Sequence, residues 1–327
     1  MLSASPISLH PENPRYFEFR GRPLVLITAS EHYGAVLNRN MDYVQYLNET
    51  ADKAMTNSRC FLLFRELESL PLNPHSPCKP VPFEYVAPFK RTGPGYAPDG
   101  LPRFNLDEWD DEYFARLHDF MTEAARRDIV VELTLFSNAY ARNVWELNPF
   151  NIKNNINGVG DIAWQDYNSM VDEGLFARQS AYVRKIVREM NAYDNCYYEI
   201  CNEPFGDHPG YAGVDQVIAW HDALRAVIRE EEARLPKRHL IFQVPVEAHR
   251  MGSELDGLAD NPDGRSDTMI LASFNTGTKE IKLVSFMRDA RVRRIGTKGT
   301  FSFYNRLNGA YSGGYAGGGV GERVGVR

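Results

Sequence analysis

Short apolar runs alternate with longer amphipathic stretches along the chain. Residues 23–30 (PLVLITAS) form a continuous apolar run after a turn at Gly21, the length of a buried strand. Over 42–54 the apolar positions Tyr43, Val44, Leu47 and Ala51 share one helical face. Residues 57–64 (NSRCFLLF) give a second strand, and the Pro-rich stretch 66–107 gives a long loop. Asp107 is placed to cap a helix to about residue 127, with Trp109, Tyr113, Phe114, Leu117, Phe120 and Met121 as its apolar side. A third strand over 129–136 (IVVELTLF) precedes an Asn-rich loop that carries Trp145 and Trp164. The pattern then predicts a helix over 176–191, a fourth strand over 196–204 (CYYEICNEP), a helix over 214–234, a fifth strand over 239–246 and a sixth over 268–275.

Strands separated by helices imply right-handed crossovers and a parallel sheet. Two architectures fit, a doubly wound open sheet and a (β/α)8 TIM-type barrel. An open nucleotide-binding sheet calls for a glycine-rich turn after an early strand. The first strand ends instead in Glu31, His32 and Tyr33. Polar and aromatic residues also gather at later strand ends, which is where a barrel builds its site. The barrel is the favoured reading, incomplete or irregular after about residue 275. With no Pro/Gly/Ser linker in view, residues 1–308 are expected to form one barrel-type domain. The Gly-rich tail 309–327 is expected to be poorly ordered.

A chain of 327 residues with 43% apolar and 24% charged positions can bury a large core. Its net charge of -6 offers no basic footprint for nucleic acid, and no apolar run is long enough to span a membrane. Four cysteines are no disulfide framework, and Cys60, Cys196 and Cys201 fall in strand-like apolar runs, as buried thiols do. No leader is visible, so a cytoplasmic home is expected, although secretion with a removed leader leaves the same picture. The eight histidines are scattered and no ligand spacing stands out, so neither metal nor cofactor is expected.

The sharpest local signal is Asn202-Glu203-Pro204 at the end of the fourth strand. A carboxyl there, walled by Tyr197 and Phe205, is placed to act as a general acid, and the Asn202 amide can donate to a sugar hydroxyl. Isolated triplets of this kind arise by chance; the strand-end position is what gives this one weight. Glu199, four residues earlier, faces the same side but deeper, as a buried structural carboxylate.

These residues resemble the cellulase-like glycoside hydrolases of clan A, the family 5 type. The likeness extends from NPRYFEFRGRPLVLITASEHYGAVLN through FNLDEWDDEYFARLHDFMTEAARRDIVVELTLF to YVRKIVREMNAYDNCYYEICNEP. The resemblance implies Glu203 as acid/base, Asn202 as the contact to the sugar 2-hydroxyl, and Arg59 as support for the nucleophile. Arg59 reads equally as a partner of Glu132 or Glu199. Glu31, His32 and Tyr33 are candidate sugar contacts, and one of Trp145 and Trp164 is expected to stack on substrate, with Tyr140 among the aromatics beside them. Packing on the barrel rim is the plainer alternative for each.

The likeness fails late in the chain. The segment where the resemblance implies the second catalytic carboxylate reads Arg293-Arg294-Ile295-Gly296-Thr297-Lys298-Gly299 and contains none. Glu280 and Glu322 are poor substitutes, one in a charged stretch and the other in the Gly-rich tail. A degenerate barrel and a late reading-frame change both account for this. The expectation is a glycosidase of the retaining type, acting on an oligosaccharide or polysaccharide with β linkages and impaired by loss of the nucleophile. The alternatives are a non-catalytic glycan-binding protein on the same scaffold, or an unrelated barrel isomerase or lyase.

Overall fold

The computed structural model describes residues 5–14, 16–30, 34–65, 82–204 and 210–242, and the backbone of four strands beyond residue 267. Contacts divide the chain into two compact units, 1–247 and 248–327. The expected boundary at 308 and the tail beyond it lie outside the described residues, as do Glu31, His32, Tyr33 and residues 66–81.

The first unit opens with a three-stranded antiparallel sheet: β1 (Ser8–Leu9), β2 (Phe17–Phe19) and β3 (Arg22–Leu24). Phe19 pairs with Arg22 across a two-residue turn in which Arg20 and Gly21 have φ of 51° and 73°. Two left-handed residues in succession give the twist that closes a tight hairpin, and glycine takes this conformation without penalty. That turn corrects the reading of 23–30 as one buried strand. Its first part belongs to the hairpin; only β4 (Thr28–Ser30) joins the parallel sheet, and Val25 and Ile27 between them are more than half exposed.

After β4 come α1 (Tyr43–Asp52), β5 (Asn57–Phe61), the antiparallel hairpin of β6 (Phe89–Tyr96) and β7 (Pro102–Trp109), α2 (Asp111–Arg126) and β8 (Val130–Ser137). A one-turn α3 (Arg142–Trp145), α4 (Glu173–Met190), β9 (Cys196–Asn202), α5 (Val214–Glu232) and β10 (Ile241–Phe242) complete the unit. The parallel sheet runs β4-β5-β8-β9-β10, in chain order throughout. A doubly wound sheet reverses direction at a switch point. This one never does, which is the winding of a barrel wall.

Asp42 caps α1, accepting from the Gln45 amide at 2.9 Å. The cap of α2 is Asp110 rather than Asp107: its Oδ1 takes the amides of Glu112 and Tyr113 at 2.9 and 3.1 Å. The strand β7 takes in both the end of the expected loop, 102–107, and the first residues of the expected helix, so Trp109 belongs to the strand and not to the helix face. The apolar face of α2 is otherwise as expected, with Tyr113, Phe114, Leu117, Phe120 and Met121 buried against the sheet, beside matching faces of α4 and α5. Cys60, Cys196 and Cys201 are buried, as expected.

At the other end of the sheet, Ile7 and Phe19 of the N-terminal segment pack on Val130 and Tyr197, near the starts of β8 and β9. Arg20 fastens this plug by a two-pronged contact to Asp194, at 2.9 and 3.0 Å. The starts of β8 and β9 are thereby covered, and their C-terminal ends are where a site is to be sought.

In the second unit, β11 (Thr268–Phe274) pairs with β12 (Ile281–Met287), and β13 (Arg291–Ile295) with β14 (Ser302–Arg306), both antiparallel. The sixth strand therefore exists where expected but forms a hairpin instead of a parallel unit. Only six residues join it to β12, and a parallel crossover needs a dozen or more.

Replacing Asp110 by Ala is expected to lower unfolding stability by about 1 kcal/mol, because two amides at the start of α2 lose their acceptor. Asp107→Ala, at an exposed position, is expected to cost less than half of that. Denaturant titrations in which Asp107→Ala is the more damaging change would return the cap to Asp107.

Candidate active site

β8 and β9 end side by side, with Ser137 paired to Asn202. The chain then turns sharply. Glu203 has φ of 47°, a left-handed conformation that is uncommon for a residue with a side chain. Its surroundings hold it there. The Asn138 amide nitrogen of the backbone donates to the Asn202 carbonyl at 3.2 Å, and the Asn138 side chain donates to the Glu203 carbonyl at 2.9 Å. The Asn168 side chain donates to the Pro204 carbonyl at 3.3 Å. The result is a buried Asn202 and Pro204 with the Glu203 side chain exposed between them.

Tyr140 joins these residues. Its hydroxyl donates to Glu203 Oε2 at 2.9 Å and accepts from Asn202 Nδ2. Ser137 Oγ lies 3.1 Å from the same hydroxyl and 3.4 Å from Asn202 Nδ2. Both amide hydrogens of Asn202 are thus directed at protein oxygens, and its Oδ1 remains as an acceptor. Tyr197, expected to wall Glu203, stands near the start of β9 and donates instead to Glu132 Oε2 at 2.9 Å.

Deeper in the sheet, Arg59 on β5 meets two carboxylates. Its guanidinium grips both oxygens of Glu199 and lies 3.2 Å from Glu132 Oε1. Thr134 Oγ1 adds a bond to Glu199 Oε2 at 2.7 Å. Glu199 is fully buried, as the sequence suggests, and Glu132 nearly so. Burial first, and the neighbouring Glu199 second, push the Glu132 carboxyl up to about 7, against the pull of Arg59 and the Tyr197 bond.

The two tryptophans part company. Trp145 is 3% exposed and packs on Tyr167 with ring centroids 5.1 Å apart. Trp164 is half-buried, meets Tyr211 edge to face at 5.1 Å, and shares with Trp145 the lining of a cavity of about 260 Å³, beside Arg142, Lys153, Asp161 and Gln165. Tyr140, Asn138 and Asn168 carry the geometry of the site, yet no pattern in the sequence marks their roles. Among the described residues no group of three or more His, Cys, Asp and Glu could hold a metal ion, and no helix is long and apolar enough to cross a membrane.

Residues 87–274, more than half of the chain, match the family model of the cellulases, glycosyl hydrolase family 5. The chain belongs to the cellulase family, glycosyl hydrolase family 5. The resemblance of the sequence and the (β/α)8 fold class follow from that membership, with the barrel seen here as a five-stranded parallel arc. A second model, that of the LytR_cpsA_psr family, matches residues 248–324. No curated protein matches the chain. Similar solved structures include a glycoside hydrolase family 5 protein from Bacteroides vulgatus ATCC 8482 (15% identity, 73% of this chain and 38% of that one, TM-score 0.42). Others are the endo-1,4-beta-mannanase of Rhizomucor miehei (14%, 69% and 57%, 0.44) and the beta-mannanase of the blue mussel Mytilus edulis (11%, 70% and 61%, 0.43). The family 5 chain spans less than two thirds of the length of each of these proteins.

The Glu132 proton has a consequence for stability. The folded protein keeps it up to about pH 7, whereas an unfolded glutamate releases it near 4.5. Between those values the native state binds the extra proton, so stability falls as pH rises through this window and levels off above it. The contribution is on the order of 3 kcal/mol. Glu132→Gln keeps an acceptor for Tyr197 and cannot ionise. Melting curves of the variant are expected to lack the part of the decline between pH 4.5 and 7 that Glu132 supplies. Parallel profiles for the two proteins would contradict the assignment.

Proposed function

We propose that this family 5 chain cleaves O-glycosidic bonds in a β-linked oligosaccharide or polysaccharide by the retaining double displacement, with Glu203 as the acid/base. The observation that carries this reading is the Glu203 carboxylate, exposed at the C-terminal end of β9 and held by Tyr140 beside Asn202. In the first step the protonated carboxyl gives its proton to the leaving oxygen as the glycosidic bond breaks. In the second it takes a proton from the incoming water. Asn202 Oδ1 is available to accept from the sugar 2-hydroxyl. Arg59 acts from beneath, through Glu199 and Glu132, rather than by touching the sugar. Both tryptophans line the same cavity, and Trp164, the more exposed, has more of its face to offer a sugar ring.

The attacking carboxylate is unassigned. Residues 293–299 contain no Asp or Glu, and Glu280 and Glu322 lie outside the described residues. Turnover by this chain is therefore expected to be slow, because without a nucleophile no covalent glycosyl intermediate forms. The same gap favours a second reading, a glycan-binding protein that does not cleave.

Aryl β-glycosides separate the two. Hydrolysis that Glu203→Gln slows by about a hundredfold for a poor leaving group, and by less for a good one, is the expected outcome. Equal turnover by variant and parent on the poor leaving group removes Glu203 from the acid/base role. Saturable glycan binding with no hydrolysis by the parent chain supports the binding reading.

A further inference from the structure

The geometry points to Tyr140 as the positioning residue of this site: its hydroxyl decides which oxygen of Glu203 meets the substrate and supports the carboxylate left behind when the proton departs. The inference rests on the reading of Glu203 as acid/base.

A tyrosine hydroxyl has one hydrogen to give. Here it accepts from Asn202 Nδ2, so its own hydrogen is directed at Glu203 Oε2, 2.9 Å away. That bond occupies Oε2 and leaves Oε1 for the glycosidic oxygen. When Oε1 gives up its proton, the carboxyl becomes a carboxylate and the Tyr140 bond becomes charge-assisted, hence stronger. Tyr140 keeps its own proton throughout. An interaction that strengthens as the proton leaves favours the transition state over the bound substrate.

The position of Tyr140 is built for this task. Its backbone lies at φ of 57°, in the left-handed region where a bulky residue is an outlier. Strain of this kind persists only where the surroundings fix it. The ring is fixed edge-on against buried Phe64, with centroids 5.9 Å apart, and Ser137 Oγ holds the hydroxyl from a third side at 3.1 Å. Neighbouring Asn138 is at the same time tied to the Glu203 backbone. One short loop after β8 thus grips both ends of the Glu203 residue, its carbonyl and its carboxylate.

Tyr140→Phe isolates the hydroxyl, since the ring keeps its place on Phe64. The variant is expected to melt within a few degrees of the parent. Its kcat/KM on an aryl β-glycoside with a poor leaving group is expected to fall about tenfold, with a markedly smaller loss on a good leaving group that needs little protonation. An equal loss on both substrates would show a merely structural role and overturn the proposal. If Glu203→Gln is impaired while Tyr140→Phe matches the parent, the proposal fails and the Glu203 reading stands. If neither variant is impaired, the Glu203 reading itself fails.

A second measurement needs no turnover. In protein labelled with ¹³C at the tyrosine Cζ, the Tyr140 resonance is the one lost in Tyr140→Phe. It is expected to move when acid protonates Glu203, and to stay still in Glu203→Gln. A Tyr140 resonance that ignores pH in the parent chain breaks the link between hydroxyl and carboxylate, and the proposal with it.

Discussion

The turn that ends β9 is the constraint on which the site depends. Glu203 and Tyr140 are both held in left-handed backbone, and neither is a residue that adopts it readily. Each is paid for by neighbours: Asn138 and Asn168 take the carbonyls of Glu203 and Pro204, and Phe64 and Ser137 hold Tyr140. With the backbone so directed, the Glu203 side chain projects outward from a strand whose other residues are all buried. An extended strand would alternate its side chains between the two faces and give no such projection.

Below the turn the sheet changes character twice. First comes a charged layer in which one guanidinium, Arg59, serves two carboxylates, Glu132 and Glu199. Two buried carboxylates against a single cation cannot both stay ionised cheaply, which is why Glu132 holds its proton towards neutrality. Then comes the apolar plug of Ile7, Phe19, Val130 and Tyr197, clamped by Arg20 to Asp194. Tyr197 belongs to both layers, its ring in the plug and its hydroxyl on Glu132. The plug closes one end of the sheet, the charged layer stiffens its middle, and Glu203 is left at the open end.

Much of this was legible in the chain. The runs at β5, β8 and β9 announce themselves because both faces of a parallel strand are buried and the sequence stays apolar across them. Asn202-Glu203-Pro204 stood out because it breaks such a run. Sequence and structure part where local pattern and long-range pairing disagree. The tight turn at Arg20 and Gly21 drew part of an apolar run into a hairpin, and β7 hid in a Pro-rich stretch, moving the helix cap from Asp107 to Asp110. β11 has the composition of a core strand, and only its pairing with β12 reveals it as half of a hairpin. Trp145 and Trp164 look alike in sequence, and one is buried in the core while the other is only half-buried, although both line the same cavity. Tyr140 could be seen as a loop aromatic, but its bond to a residue 63 positions away could not.

The central claim is that Glu203 is the carboxyl presented to a bound glycan. An affinity label tests it most directly, because it needs binding and a reactive carboxylate but no second catalytic group. The chain would be incubated with an epoxyalkyl β-glycoside and digested, and the modified peptide sequenced by mass spectrometry. The account predicts a single ester adduct on Glu203, suppressed by excess oligosaccharide and absent from Glu203→Gln. An adduct carried by another carboxylate, with Glu203 unmodified and the same protection by oligosaccharide, would contradict it.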